Sequence, residues 1–297
     1  MTGKATKLRA VALFFLGLTL SGPLFAQSQI TAEQERLALV AAIQKRLPDT
    51  GPTDWAQGIY VLTQKSGGVQ VVPFNAENAT NTADILAIGK KAWDRKFKNG
   101  KSLASCFPNG GKRVAATYPQ YDTKTKRVVT LEIAINRCLQ LHGEAEIDLS
   151  TSQLIGPLVA YARSLAQAQR VTVRVANVAA KEKFDSGKSL FSRRIGQRDL
   201  ACASCHVLNA GNSAKDTQIA GMRAHEVGTS PAVGQATSWP KLEPGDRVRT
   251  LQMQFQHCMK RAEAEPFELG SEEFNDLEYF LTFVSNGLPI RSISVYR

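Results

Sequence analysis

Apolar residues recur along this chain at helical spacing in several separated stretches. Arg36, Val40, Ile43 and Leu47 follow Thr31-x-x-Gln34, a pair able to exchange hydrogen bonds at a helix start, and Pro48 ends the run. An N-terminal helix is predicted there. Residues 58 to 63 and 69 to 74 are β-prone runs around Lys65-Ser-Gly-Gly68, a hairpin pattern. Ile85, Gly89, Ala92, Trp93 and Lys96 or Phe97 mark a second helix, followed by a glycine-rich loop around Gly100 and Gly110. The run from Val128 to Leu141 reads as strand at its start and helix after Glu132. Beyond a break near residues 165 to 178, Lys181 to Arg194 reads as a helix with Gly187 and Phe191 on one side. Phe274, Leu277, Leu281 and Val284 form a last apolar stripe, capped by Ser271 and ended by Gly287 and Pro289.

One apolar stretch has a different character. Lys4, Lys7 and Arg9 precede Ala10 to Leu20, and Ser21, Gly22 and Pro23 lead to Ala26, the layout of a secretory signal peptide over residues 1–26. It is too short to span a bilayer, and no later stretch approaches the roughly 20 residues needed. A soluble, exported, periplasmic protein is expected. Composition agrees with a folded chain: 43% of the 297 residues are apolar, enough for one large or two ordinary domains. The formal charge of +11 falls to +8 once the leader's three basic residues are removed. No long basic run or interleaved aromatics accompany it, which sets nucleic acid aside and leaves a field suited to a small anion or an acidic partner.

Export decides how the five cysteines are read. Cys202-Ala-Ser-Cys205-His206 is the attachment sequence of c-type haem, in which two thiols add to vinyl groups and the next residue offers an imidazole to iron. A redox C-x-x-C or a disulfide with a chance histidine is the alternative. Three thiols remain, so one is left over. Cys106 and Cys138 lie 32 residues apart in the first half, where a bridge is worth roughly 3 to 4 kcal/mol. Cys258 is then unpaired, and in an oxidising compartment such a thiol is expected to be buried, metal-bound or reactive.

The order helix, C-x-x-C-H, long loop, ligand-bearing segment and terminal helix resembles a class I cytochrome c domain. Met222, His225, Met253, His257, Cys258 and Met259 are the downstream candidates for the sixth ligand. Methionine would suit an electron carrier, a thiolate a site of sulfur chemistry. The segment Leu251-Gln-Met-Gln-Phe-Gln-His-Cys258, followed by Arg261-Ala-Glu-Ala-Glu-Pro-Phe267 and later Gly287-Leu-Pro-Ile290, resembles SoxA, the catalytic cytochrome family of the SoxAX complex of thiosulfate oxidation. The resemblance is strongest from Phe184 to Ile290.

That resemblance implies a mainly α fold of two class I cytochrome-c-like domains, 27–170 and 178–297, only the C-terminal one binding haem. It implies a SoxX cytochrome partner, a SoxYZ carrier protein, and an L-cysteine S-thiosulfotransferase reaction joining thiosulfate to a carrier cysteine. His206 and Cys258 would be the axial ligands, Cys202 and Cys205 the covalent attachments of one haem c, and Cys258 the catalytic residue. The first half departs from two-haem members: Leu103-Ala-Ser-Cys106-Phe107 keeps one thiol of the motif, and Cys138 stands at the distal-ligand position, which makes a Cys106–Cys138 disulfide concrete. Gln254 stands where many members carry a substrate-binding arginine four residues before the ligand cysteine. Gln254, Arg247, Lys260 and Arg261 are the substrate-binding candidates, Arg261 on the face of Cys258 if 250–261 is helical, while Arg247 and Arg249 precede that helix and could fold over its start. A plain electron-transfer cytochrome c and a thiosulfate dehydrogenase making tetrathionate are the competing functions.

Overall fold

The computed structural model describes residues 31–56, 76–211, 230–243, 245, 247–291 and 293–295. The leader reading, the hairpin pattern of 58–74, and Met222 and His225 lie outside these residues. Thr31 accepts from the Gln34 N–H and Gln34 closes the reciprocal bond, starting α1 (Ala32–Arg46). After the single turn α2 (Pro52–Trp55), the same order of elements then occurs twice.

In the first half, α3 (Ala76–Asp94) and the short α4 (Leu103–Cys106) lead through two 3₁₀ turns to the hairpin β1 (Gln120–Asp122) and β2 (Arg127–Val129). Then come α5 (Leu131–Leu141) and α6 (Ile155–Ser164). In the second, α7 (Val178–Ser192) and α8 (Cys202–His206) lead to β3 (Lys241–Glu243) and β4 (Arg247–Arg249), then α9 (Leu251–Arg261) and α10 (Glu272–Val284). The two-residue β5 (Ser294–Val295) lies parallel to β3. Each hairpin follows a cis X–Pro bond, Tyr118–Pro119 and Trp239–Pro240. Thr130 and Thr250 cap α5 and α9, and Cys138 and Cys258 hold the same place in those helices. The strand-to-helix change within 128–141 therefore falls at Thr130, whose hydroxyl accepts from the Ile133 N–H.

Two helix pairs carry the core, and a glycine sits at each crossing. A Cβ on Gly187 of α7 would lie 2.0 Å from the Asp276 carbonyl oxygen of α10, and one on Gly89 of α3 would lie 2.1 Å from that of Pro157 in α6. Close approach lets Phe184 meet Phe280 and Phe283, each at 5.3 Å between ring centres. Fully burying such a ring contributes about 2 kcal/mol. Helix α3 begins at Ala76, nine residues before Ile85; Ala76–Asp84 is largely polar and bears no apolar stripe from which its start could be read. Helix α7 spans 178–192 rather than 181–194, since the Asn177 side chain accepts from the Ala180 N–H and sets its start.

The described residues from Thr31 onward pack as one compact unit. Arg163 of α6 donates to the carbonyls of Ala236, Thr237 and Arg291, tying the first half to the turn before β3. The connection after α6 runs alongside the chain's end, with Val171 donating to the Leu288 carbonyl. No helix among the described residues is long and apolar enough to cross a membrane.

Candidate active site

The five-residue α8 sets Cys202 and Cys205 one turn apart and ends on His206. Its start is held by the Ala201 N–H donating to Ser204 Oγ, and its end by Asn209 Nδ2 donating to the Ser204 carbonyl at 2.7 Å. His206 Nδ1 lies 2.7 Å from the Ser230 carbonyl. A carbonyl only accepts, so a proton on Nδ1 satisfies it and leaves Nε2 as the atom that can coordinate a metal; Gln235 Nε2 lies 3.1 Å from the same Nδ1. Burial pushes the imidazole pKa down, which also favours the neutral ligand form.

Cys258 reaches the same region from α9. At helical spacing Gln254, Cys258 and Arg261 form one stripe, each partly buried. Gln254 Nε2 donates to Cys258 Sγ at 3.2 Å, and Gln254 Oε1 accepts from Arg249 Nη1 at 2.8 Å. Arg249 Nη2 in turn pairs with Glu243 at 2.5 Å. Lys241 faces Arg249 across the hairpin, with its ammonium 4.7 Å above the Trp239 ring. Burial pushes the Cys258 thiol up, opposed by the Gln254 amide and by Arg261, Arg249 and Lys241. Burial pushes Cys202 up to about 12, and negative charge on Cys258 adds to the rise at Cys202 and Cys205. The three unpaired cysteines therefore share one electrostatic neighbourhood, with the anchored imidazole of His206 on the same helix as two of them. Two thiols a turn apart, an imidazole with a committed Nδ1 and one further sulfur are a donor set that fits a c-type haem.

A model of the SoxA/TsdA cytochrome c domain matches residues 88–171 and 186–290. The chain belongs to this family. It is 35% identical to the L-cysteine S-thiosulfotransferase subunit SoxA of Chlorobaculum tepidum, over 88% of this chain and 86% of the relative. It is 30% identical to the subunit of that name from Allochromatium vinosum, over 94% of each. The crystal structure of SoxXA from P. pantotrophus superposes with a TM-score of 0.62 at 25% identity, covering 73% of this chain and 79% of that one. The fold is thus the mostly helical one of the SoxA/TsdA cytochrome c domain.

Within this SoxA/TsdA chain the candidate cations separate by helix face. Gln254 touches the Cys258 sulfur and Arg261 lies within its electrostatic reach. Arg247 and Lys260 are exposed and instead line a cavity of about 240 Å³ on the neighbouring side of α9, with Ser150, Ser152 and His257. Arg249 belongs to both, lining that cavity while bonding Gln254. Arg249, expected to fold over the start of the helix, and Lys241, not singled out in the sequence, are the further residues near the sulfur. Pro244-Gly245 between two short runs is the turn signal that could have placed them opposite each other on a hairpin.

In the first half, Cys106 and Cys138 are joined by a disulfide, with Cα atoms 5.9 Å apart. The donor nitrogen of His142 lies within 4.8 Å of both sulfurs. This corner gathers an imidazole and two sulfurs, but the sulfurs are spent on each other. Leu103 and Phe107, at the positions of the lost motif residues, are buried, and Phe107 stacks on Trp93 at 5.1 Å.

Proposed function

We propose that this chain is the SoxA subunit of a SoxAX-type cytochrome complex, an L-cysteine S-thiosulfotransferase that joins thiosulfate oxidatively to a cysteine of a SoxYZ-type carrier. The observation that carries the reading is Cys258: an unpaired sulfur beside Cys202 and Cys205, hydrogen-bonded by Gln254 and surrounded by Arg249, Arg261 and Lys241. An electron carrier needs no such sulfur or cations. The family description also covers TsdA, but the relatives identical at 30% and 35% over most of the chain carry the thiosulfotransferase name. In this reading residues 1–26 direct export to the periplasm, 27–170 form a cytochrome-c-like domain without haem, and 178–297 form the domain with one haem c.

Cys202 and Cys205 would hold that haem covalently, and His206 and Cys258 would offer a nitrogen and a sulfur to its iron. The residues of the chain do the rest. Arg249, Arg261 and Lys241 draw the dianionic thiosulfate to Cys258. The Cys258 thiolate and the terminal sulfur of thiosulfate form a sulfur–sulfur bond, releasing two electrons. Haem c, when bound, supplies a one-electron acceptor, and a SoxX-type partner haem supplies the second. The carrier's cysteine thiolate then attacks the former terminal sulfur and displaces the Cys258 thiolate, so the carrier leaves with a bound thiosulfate unit and the chain is restored. The test is Cys258→Met, assayed with partner and carrier by mass spectrometry of the carrier. Haem attachment is expected to persist and transfer to be lost; retained transfer overturns the reading.

A further inference from the structure

Gln254 is the conspicuous residue at this site, because a neutral amide four residues before Cys258 brings no charge to a reaction of anions. Its surroundings supply what it lacks. An amide can present either end to a neighbour, and Oε1 turned toward Cys258 would repel a thiolate. Arg249 settles the orientation by donating Nη1–H to Oε1 at 2.8 Å, which leaves Nε2 to donate to Sγ at 3.2 Å. The guanidinium is itself held by Glu243 through its other nitrogen at 2.5 Å, and both side chains are largely buried, 18% and 10% exposed. A surface ion pair would need neither the burial nor the second partner. Beside Arg261 on the helix that carries the cysteine, a second positive charge arrives from a strand.

We propose that Arg249 is a positioning residue for the Cys258 sulfur, acting through Gln254. Glu243 fixes the guanidinium, the guanidinium fixes the amide, and the amide donates to the sulfur. The bonds polarise in one direction, so the final N–H is a stronger donor than an isolated amide. Charge on the sulfur is thereby stabilised by the Arg249 cation, which acts electrostatically on Cys258. The proposal rests on Cys258 being the reacting sulfur.

Three variants of the haem-loaded protein with its partner subunit test it. Arg249→Met removes both donors at similar length, Arg249→Lys keeps the charge, and Gln254→Glu keeps a partner for Arg249 but presents an oxygen to the sulfur. Measured are KM for thiosulfate with a carrier protein, and the electron paramagnetic resonance of the oxidised haem, which reports on the axial sulfur without turnover. Arg249→Met is expected to raise KM about tenfold or more and to shift the haem signal. Gln254→Glu is expected to shift the signal as well, and Arg249→Lys to recover most of KM. Haem content and far-ultraviolet circular dichroism establish that each variant is folded, and Arg249→Lys carries the test of charge if Arg249→Met is not. An unchanged KM and signal in Arg249→Met, or a KM change with no shift of signal in either Arg249→Met or Gln254→Glu, overturns the proposal. Failure of Cys258→Met to abolish transfer overturns the underlying reading instead, so the two are told apart.

Discussion

Replacing Gly187 with alanine tests the helix crossing on which the second half is built. The added methyl would stand 2.0 Å from the Asp276 carbonyl oxygen, 2.5 Å from its carbon and 3.0 Å from the Leu277 nitrogen. All three are backbone atoms, so no side chain can turn aside. A carbon–oxygen contact relaxes at about 3.3 Å, which obliges α7 and α10 to part by roughly 1.3 Å. A gap of that size forfeits a quarter to a half or more of each dispersion contact. The pairs Phe184–Phe280, Phe184–Phe283 and Phe191–Phe280, each 5.3 Å between ring centres, are the first to lose. Overpacking costs about 1 to 3 kcal/mol, ring pairs add about 1 to 2, and the better helix propensity of alanine returns about 1. The expected net loss is about 3 kcal/mol, or roughly 8 °C in Tm for a unit of this size. Thermal unfolding of the haem-loaded protein followed by circular dichroism measures it. Gly89→Ala, whose methyl would lie 2.1 Å from the Pro157 carbonyl oxygen, should behave alike in the first half. A Gly187→Ala protein melting within about 1 °C of the parent would refute the crossing and the bookkeeping together.

Two further perturbations address the charge and the covalent link. Replacing Cys106 and Cys138 together with serine opens a 32-residue loop and should cost between about 3 and 4 kcal/mol in urea unfolding while haem content stays constant; a loss below about 1 kcal/mol would contradict the loop-closure account. Asp276 is buried, and burial raises its carboxyl from 3.8 to about 7 despite Lys183 at 4.0 Å. The folded state therefore binds this proton more tightly than the unfolded one, and stability falls as pH rises from about 4 to about 7, by as much as roughly 4 kcal/mol. Asp276→Asn removes that penalty, so its Tm advantage over the parent should widen between pH 5 and pH 8. A gap equal at the two pH values would show that the carboxyl ionises freely in the fold.

Local features of this chain were legible and long-range ones were not. Thr31 and Ser271 announce helix starts because capping uses only the next three residues. Cys258 could be singled out by parity and by its neighbours in sequence, and Gly187 and Phe191 by their spacing. The polar first turns of α3 offered no periodicity to read, so that helix was expected to begin too late. The hairpin β3–β4 was missed because three residues a strand show hardly any alternation. Its consequence is large, since it carries Lys241 and Arg249 to a sulfur on another element. Residue type alone made Gln254 look like a lost cation; only its contact with Arg249 shows that the cation stands one side chain farther back.

The Cys106–Cys138 bridge has a bearing on how one polypeptide keeps two sulfur oxidation states apart. Two of its cysteines are joined while three others are unpaired; in the proposed function one of the three turns over and two hold a prosthetic group. Exchange between the sets requires a thiolate. Before attachment, burial suppresses thiolate formation at Cys202, Cys205 and Cys258. In the folded chain the packing around these three sulfurs therefore disfavours the very species that exchange with the disulfide requires.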